Sequence, residues 1–293
     1  MSATPSNNLP IALGLMIIGV VLVASMDVAA KILTTELPLA QVVWARFCFH
    51  VLWLTPAVWW TARRRDQRAN IHFFRGHTLR GGMLFAATMC YFTAIRDNPI
   101  PDTIAVFFIE PIIVMFLAAA FLGEPLQLRR LLAAIVAFTG VLVILRPGSN
   151  VYSPTILFAL LAALCFAGYI VCTRASSIKE SPLIVAWGTG FTGLICSAPF
   201  CFIVWTSPSG HEWLLMFLLG ALAAGGHLGI TAACRFANAS LVALFHYSEI
   251  IAATILSYLV FSYTPDRWLW VGSALIVGAK IIVTILEIRE KRH

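Results

Sequence analysis

Long apolar runs alternate with short polar or glycine- and proline-bearing breaks along almost the whole chain. A bilayer's hydrocarbon core is about 30 Å thick and needs roughly 20 apolar helical residues to cross it. Each run therefore predicts a spanning helix. Ten runs lie near 9–32, 38–60, 79–95, 101–122, 129–145, 153–173, 182–205, 212–233, 239–261 and 267–287, the third and fifth being the shortest. The breaks carry Arg63-Arg64-Arg65, Arg146-Pro147-Gly148, Ser207-Pro208-Ser209-Gly210 and Pro265-Asp266. Met1 to Asn8 has no basic segment, and the run from Leu9 exceeds a signal-peptide core, so it is expected as the first span.

The pattern also repeats. Glu36-Leu37-Pro38-Leu39 before the second run recurs as Glu180-Ser181-Pro182-Leu183 before the seventh, 144 residues on, and Phe47 and Phe191 keep that offset. Arg96 and Arg235 are 139 apart, as are Glu110 and Glu249. Corresponding elements thus fall five runs apart. Five is odd, so the second half must cross in the opposite sense to the first. The expected fold is an all-α integral membrane protein of ten transmembrane helices, built as two inverted five-helix repeats, 1–150 and 151–293. Inverted repeats place a substrate site near mid-membrane, at the interface of the halves.

Composition supports the same picture. Charged residues make up 11% of the chain and hydrophobic ones 60%, with a mean hydropathy of +0.89. Soluble domains carry about 25% charged residues because water must wet their surface. The net charge of +7 forms no stripe on a soluble face, which argues against a nucleic-acid partner. With both termini placed in the cytoplasm, fourteen Lys and Arg residues fall on the inner side and four on the outer. That bias predicts a multi-pass inner-membrane protein with cytoplasmic ends. The seven cysteines form no C-x-x-C and read as small hydrophobes rather than disulfides or zinc ligands.

The doubled five-run plan, Glu110-Pro111 with Leu122-Gly123-Glu124, and the Gly140-Val141-Leu142-Val143 stretch together resemble the drug/metabolite transporter superfamily, in particular its ten-helix EamA type. The resemblance covers essentially the whole chain. It implies a central cavity lined by spans one to four and six to nine, with five and ten peripheral, and a secondary carrier of small metabolites. The second half departs from the family pattern, with Ser248-Glu249-Ile250 where a Glu-Pro pair is common and Tyr263-Thr264-Pro265 where Gly-Glu is. Asp27-Val28-Ala29-Ala30-Lys31 and Val43-Trp44-Ala45-Arg46-Phe47 look similar to bacterial riboflavin importers and S-adenosylmethionine carriers.

A charge at mid-bilayer costs roughly 2.5–3.5 kcal/mol on insertion scales, so ionisable groups inside spans need partners or a wet cavity. Asp27 and Lys31 share a face of span one, either as a substrate or proton site or as an ion pair. Arg46 lies too deep in span two to reach the headgroups and is expected to face a cavity; His50 shares its face. Glu110, before a helix-loosening proline, and Glu249, with His246 three residues earlier, complete the candidate substrate- or ion-binding set. Trp44 and Trp187 sit at related depths and could stack on a flat substrate or simply pack. His227, among Gly225, Gly226 and Gly229, and Lys280, near the end of span ten, read as packing and snorkelling residues.

Transport follows as the leading function, by alternating access and with an ion or substrate gradient as driving force. No G-x-x-x-x-G-K-[ST], H-E-x-x-H or G-x-S-x-G occurs, so no nucleotide, metal or other cofactor and no enzyme activity is indicated. The partners expected are a small-molecule substrate, lipid and a possible coupling ion. The family likeness suggests riboflavin uptake first, which 35 Phe, Trp and Tyr residues permit. S-adenosylmethionine or an amino-acid-like metabolite is the competitor, and a channel or membrane-embedded enzyme the alternative class.

Overall fold

The computed structural model describes residues 9–64, 71–145, 153–178, 180–262 and 267–290. The breaks at Arg146-Pro147-Gly148 and Tyr263-Thr264-Pro265-Asp266, and Arg65, Arg68, Lys179, Lys291 and Arg292 of the charge tally, lie outside these residues, as do the side chains of Arg63, Arg64, Arg75, Lys280 and Arg289. Twelve α-helices are described and no strand: α1 (Leu9–Glu36), α2 (Leu39–Arg64), α3 (Ile71–Asp97), α4 (Ile100–Phe107), α5 (Glu110–Leu122) and α6 (Leu128–Leu145) in the first half. The second half has α7 (Phe158–Ser177), α8 (Pro182–Ile203), α9 (Gly210–Phe236), α10 (Ala239–His246), α11 (Glu249–Phe261) and α12 (Arg267–Glu290). Helices α4 and α5 are two pieces of one crossing, and so are α10 and α11, which makes ten spans. Among the described residues, six stretches are long and apolar enough to cross a bilayer on length and composition alone.

Local chemistry sets the ends. Ser209 accepts from the Glu212 amide at 3.3 Å while the Glu212 carboxylate takes the Ser209 amide, a capping box that starts α9. Pro182 opens α8 at its first position, where the missing N–H costs nothing. Span three is longer than its apolar run: α3 begins at Ile71, not near 79. His77 and Arg80 lower the local hydropathy, yet both are buried against other helices, so the helix continues through them.

The broken spans match residue for residue. α4 and α10 are each 8 residues long, α5 and α11 each 13, and all four boundaries are 139 apart. Past each break the turn tightens alike, with the Ile112 amide on the Ile109 carbonyl and the Ile251 amide on the Ser248 carbonyl, both at 3.2 Å. The sequence attributes the break to Pro111, but span nine breaks without a proline. The cause is shared geometry, and Pro111 is one residue that tolerates it. Both segments end left-handed, at Gly123 (φ 63°) and Ser262 (φ 56°).

Packing respects the repeat. α1 lies on α9 as α7 lies on α3; α2 touches α9 as α8 touches α3; α1 meets α11 as α7 meets α5. The pairs α2 with α8 and α6 with α12 exchange into themselves. This is what a twofold axis in the membrane plane requires of two oppositely directed five-span halves. Between lipid-exposed helices association rests on close van der Waals contact and small residues. A Cβ at Gly19 of α1 would sit 3.1 Å from the Gly226 carbonyl of α9, and one at Gly140 of α6 would sit 2.7 Å from that of Gly272 in α12. The α6–α12 pair flanks the bundle, as the resemblance implies.

Candidate functional site

Where the two halves meet lies a cavity of about 50 Å³. Asp27 comes from α1, Arg46 from α2, Tyr91 and Thr88 from α3, Phe107 from α4, Phe166 from α7, His227 from α9 and Glu249 from α11. Span seven alone among the spans expected to line it contributes no residue.

One wall is acidic. The Tyr91 hydroxyl donates to Asp27 Oδ2 at 3.0 Å, and the Glu249 carboxyl lies beside it. Asp27 Oδ1 is buried, and among the described residues it meets no donor other than the neighbouring Glu249 carboxyl. The opposing group is Arg46, which donates through one amino group to His227 Nε2 at 2.5 Å. Its guanidinium carbon stands 4.4 Å from the Phe47 ring centroid, and Nε and the other amino nitrogen are buried without a hydrogen-bond acceptor. An arginine only donates, so His227 accepts at Nε2 and its Nδ1 hydrogen points to the Tyr169 hydroxyl, 3.2 Å away. Buried polar groups normally find partners. Here two carboxyl groups share one side of the cavity, and two donors on Arg46 opposite them find no acceptor among the described residues.

The helix breaks set the floor. Glu110 and Glu249 are the first residues of α5 and α11, where unpaired amide groups and the helix dipole favour a carboxylate. His246, the last residue of α10, donates from Nδ1 to Glu110 Oε2 at 3.2 Å, so the two broken spans clasp each other across the repeat interface. Phe166, which lines the cavity, packs at a tilt against the His246 ring, centroids 5.3 Å apart, and neither Glu110 nor His246 is among the lining residues. Glu110 and His246 therefore stand behind the wall rather than in it.

Of the residues singled out in the sequence, Asp27, Arg46 and Glu249 meet at the cavity and Glu110 with His246 supports it. Trp44 and Trp187 are not brought there. Trp44 packs edge-on to Trp205, centroids 5.6 Å apart, whereas Trp187 stacks on Phe191 and donates to the Thr55 hydroxyl at 3.0 Å. Lys31 does not pair with Asp27; its ammonium binds the Ile95 and Asn98 carbonyls at the end of α3, at 2.6 and 2.7 Å. His227, read from its glycine neighbours as packing, lines the cavity, and so does Tyr91. His50 points away, donating to the Ala186 carbonyl at 3.2 Å. Only three-dimensional placement distinguishes His227 from an ordinary buried histidine.

The profile of the EamA-like transporter family matches the chain twice, over residues 10–146 and 153–285. An S-adenosylmethionine uptake transporter of Rickettsia felis is 27% identical over 94% of this chain and 92% of its own length. A riboflavin transporter of Brucella anthropi is 28% identical over 70% of this chain and 74% of its own. A solved crystal structure superposes with a TM-score of 0.77 at 21% identity, covering 97% of this chain and 100% of that one, which is a likeness of fold. Two family matches that together span nearly the whole chain, on a ten-span bundle with doubled architecture, settle the assignment: the chain belongs to the EamA-like transporter family and is a multi-pass membrane transporter.

Proposed function

We propose that the protein is a secondary carrier for a small zwitterionic or cationic metabolite bearing a flat ring, of the S-adenosylmethionine kind, bound between Asp27, Glu249 and Arg46. The composition of the cavity wall carries this reading: two carboxyl groups against one guanidinium, whose Nε and second amino nitrogen find no acceptor among the described residues. An amino group or sulfonium suits the Asp27–Glu249 side, a carboxylate suits Arg46, and Tyr91, Phe107 and Phe166 offer ring faces. The Rickettsia relatives named for S-adenosylmethionine uptake align over most of this chain, which supports the same class. Glu110 and His246 hold the two broken spans in register, and Trp44 and Trp187 stabilise the scaffold.

Riboflavin is the second reading, favoured by the aromatic lining and by relatives of that name. A neutral isoalloxazine ring would leave the acidic side without a counter-charge, so it ranks below the zwitterion. The halves 1–150 and 151–293 rock against each other around the cavity, in the inner membrane with both termini cytoplasmic, an orientation supported by the Lys and Arg bias. Equilibrium binding to the purified protein discriminates the two ligands. Saturable binding of S-adenosylmethionine, not displaced by excess riboflavin, is the expected result; tighter binding of riboflavin would reverse the ranking.

A further inference from the structure

Away from the cavity lies a second buried polar cluster, nearer the face at which α1 begins and α12 ends, here called the terminal face. Arg80 of α3 is 0% exposed and donates to the Thr189 hydroxyl and Val185 carbonyl of α8 and to His77 Nδ1. His77 in turn reaches Glu180 at 3.1 Å, and Glu180 is half-buried at the mouth of the bundle. One Arg80 amino nitrogen is buried with no hydrogen-bond acceptor. Tyr169, which bonds His227 of the cavity wall, lies within electrostatic range of Arg80 without a hydrogen bond to it. The cluster of Arg80, His77 and Glu180 thus lies between the cavity wall and the terminal face.

The repeat supplies an internal control. α3 and α9 correspond end to end at an offset of 139, which pairs His77 with Met216 and Arg80 with Leu219. Met216 and Leu219 are fully buried on the other half of the membrane, packed as plain hydrophobes. The fold therefore closes this seam with apolar side chains where nothing else is asked of it. Burying a guanidinium instead, with a donor unspent, is costly in a bilayer and calls for another role.

We infer that Arg80, with His77 and Thr189, is a second binding station for the carboxylate of the substrate, occupied on the way between the cavity and the terminal face. This rests on the carrier reading above. Opening the seam between α3 and α8 frees the Arg80 donors from Thr189 and the Val185 carbonyl, and a passing carboxylate replaces them. The twin seam, lined by Met216 and Leu219, offers no such stop, so the station makes the two halves of the route unequal.

The test compares labelled S-adenosylmethionine with its decarboxylated analogue in proteoliposomes, for the wild-type protein, R80K, and the twin-mimicking double variant R80L/H77M. Expected for the double variant are a loss of about tenfold or more in the maximal rate for S-adenosylmethionine, unchanged equilibrium affinity, and a rate for the decarboxylated compound within about twofold of wild type. R80K is expected to keep at least about a third of the wild-type rate. Equal slowing of both compounds, or of neither, overturns the station and assigns Arg80 to packing. If the decarboxylated compound is not carried at all, the contrast between R80K and R80L/H77M decides, and similar rates for the two overturn the station. No uptake of either compound by wild-type protein defeats the carrier reading itself, an outcome distinct from undiminished uptake by the double variant.

Discussion

Glu110 and Glu249 occupy the same place in the two halves of the protein: each is the first residue after a break in a membrane span, 139 residues apart, at the head of a 13-residue half-helix. They do not do the same thing. Glu249 lines the cavity beside Asp27, whereas Glu110 does not line it and accepts from His246. The backbone repeats while the side chains differ, with a cavity-lining acid from one half and a histidine-paired acid from the other.

That difference separates their phenotypes. Glu249→Gln is expected to weaken S-adenosylmethionine binding by about 1.5–3 kcal/mol, roughly ten- to a hundredfold in Kd, as Asp27→Asn should. Glu110→Gln leaves the cavity wall intact and keeps an acceptor for His246, so Kd should stay within about threefold while the transport rate falls. Titration calorimetry alongside uptake kinetics on the same preparations checks the split.

Arg46 should behave as more than a positive charge. It spends one amino group on His227 and presents its remaining donors to the cavity. Arg46→Lys keeps the charge but loses the planar fork, and should still weaken binding of a carboxylate-bearing ligand by about 1 kcal/mol or more. Arg46→Ala also strands His227 Nε2 without its donor and should cost more. Affinity for a ligand lacking the carboxylate is the control, expected to move less in both variants.

The two left-handed helix ends make opposite predictions for stability. Gly123 has no heavy atom within 4 Å of an added Cβ, so Gly123→Ala meets only the cost of positive φ, about 1 kcal/mol. Ser262 already bears that cost at φ 56°, and Ser262→Gly should raise stability by up to about 1 kcal/mol. Thermal melts of the two variants in one detergent should shift in opposite directions.

Helix contacts can be tested at single glycines. A Cβ on Gly220 of α9 would run into the Phe49 backbone of α2, which cannot swing aside. Gly220→Ala should therefore destabilise by about 1–3 kcal/mol. Gly14, with open space around it, is the control: Gly14→Ala should be neutral or stabilising by up to about 1 kcal/mol. The apparent Tm of each against wild type reads this directly.

Much of the fold was legible because a bilayer imposes one period and one length on every span. The 139-residue offset between Glu110 and Glu249, visible in the sequence, is the offset at which the broken helices correspond. The break itself was only half legible, since Pro111 marks it in span four and nothing marks it in span nine. Arg46 and Asp27 stood out because hydrocarbon penalises a charge deep in a span unless a cavity or a partner receives it. His227 did not, because its role depends on a guanidinium 181 residues away in sequence. Arg80, at the start of the third apolar run, counts in sequence only as one of the fourteen inner-side basic residues, and the packing of α3 on α8 shows it inside the bundle.

The most direct test is counterflow. Proteoliposomes holding purified protein and unlabelled S-adenosylmethionine are placed in trace labelled S-adenosylmethionine with no other gradient. Transient accumulation of label above the equilibrium level, lost in Asp27→Asn, is what a carrier with this cavity must give. Label that only equilibrates, at a rate linear in concentration and unchanged in that variant, would contradict it.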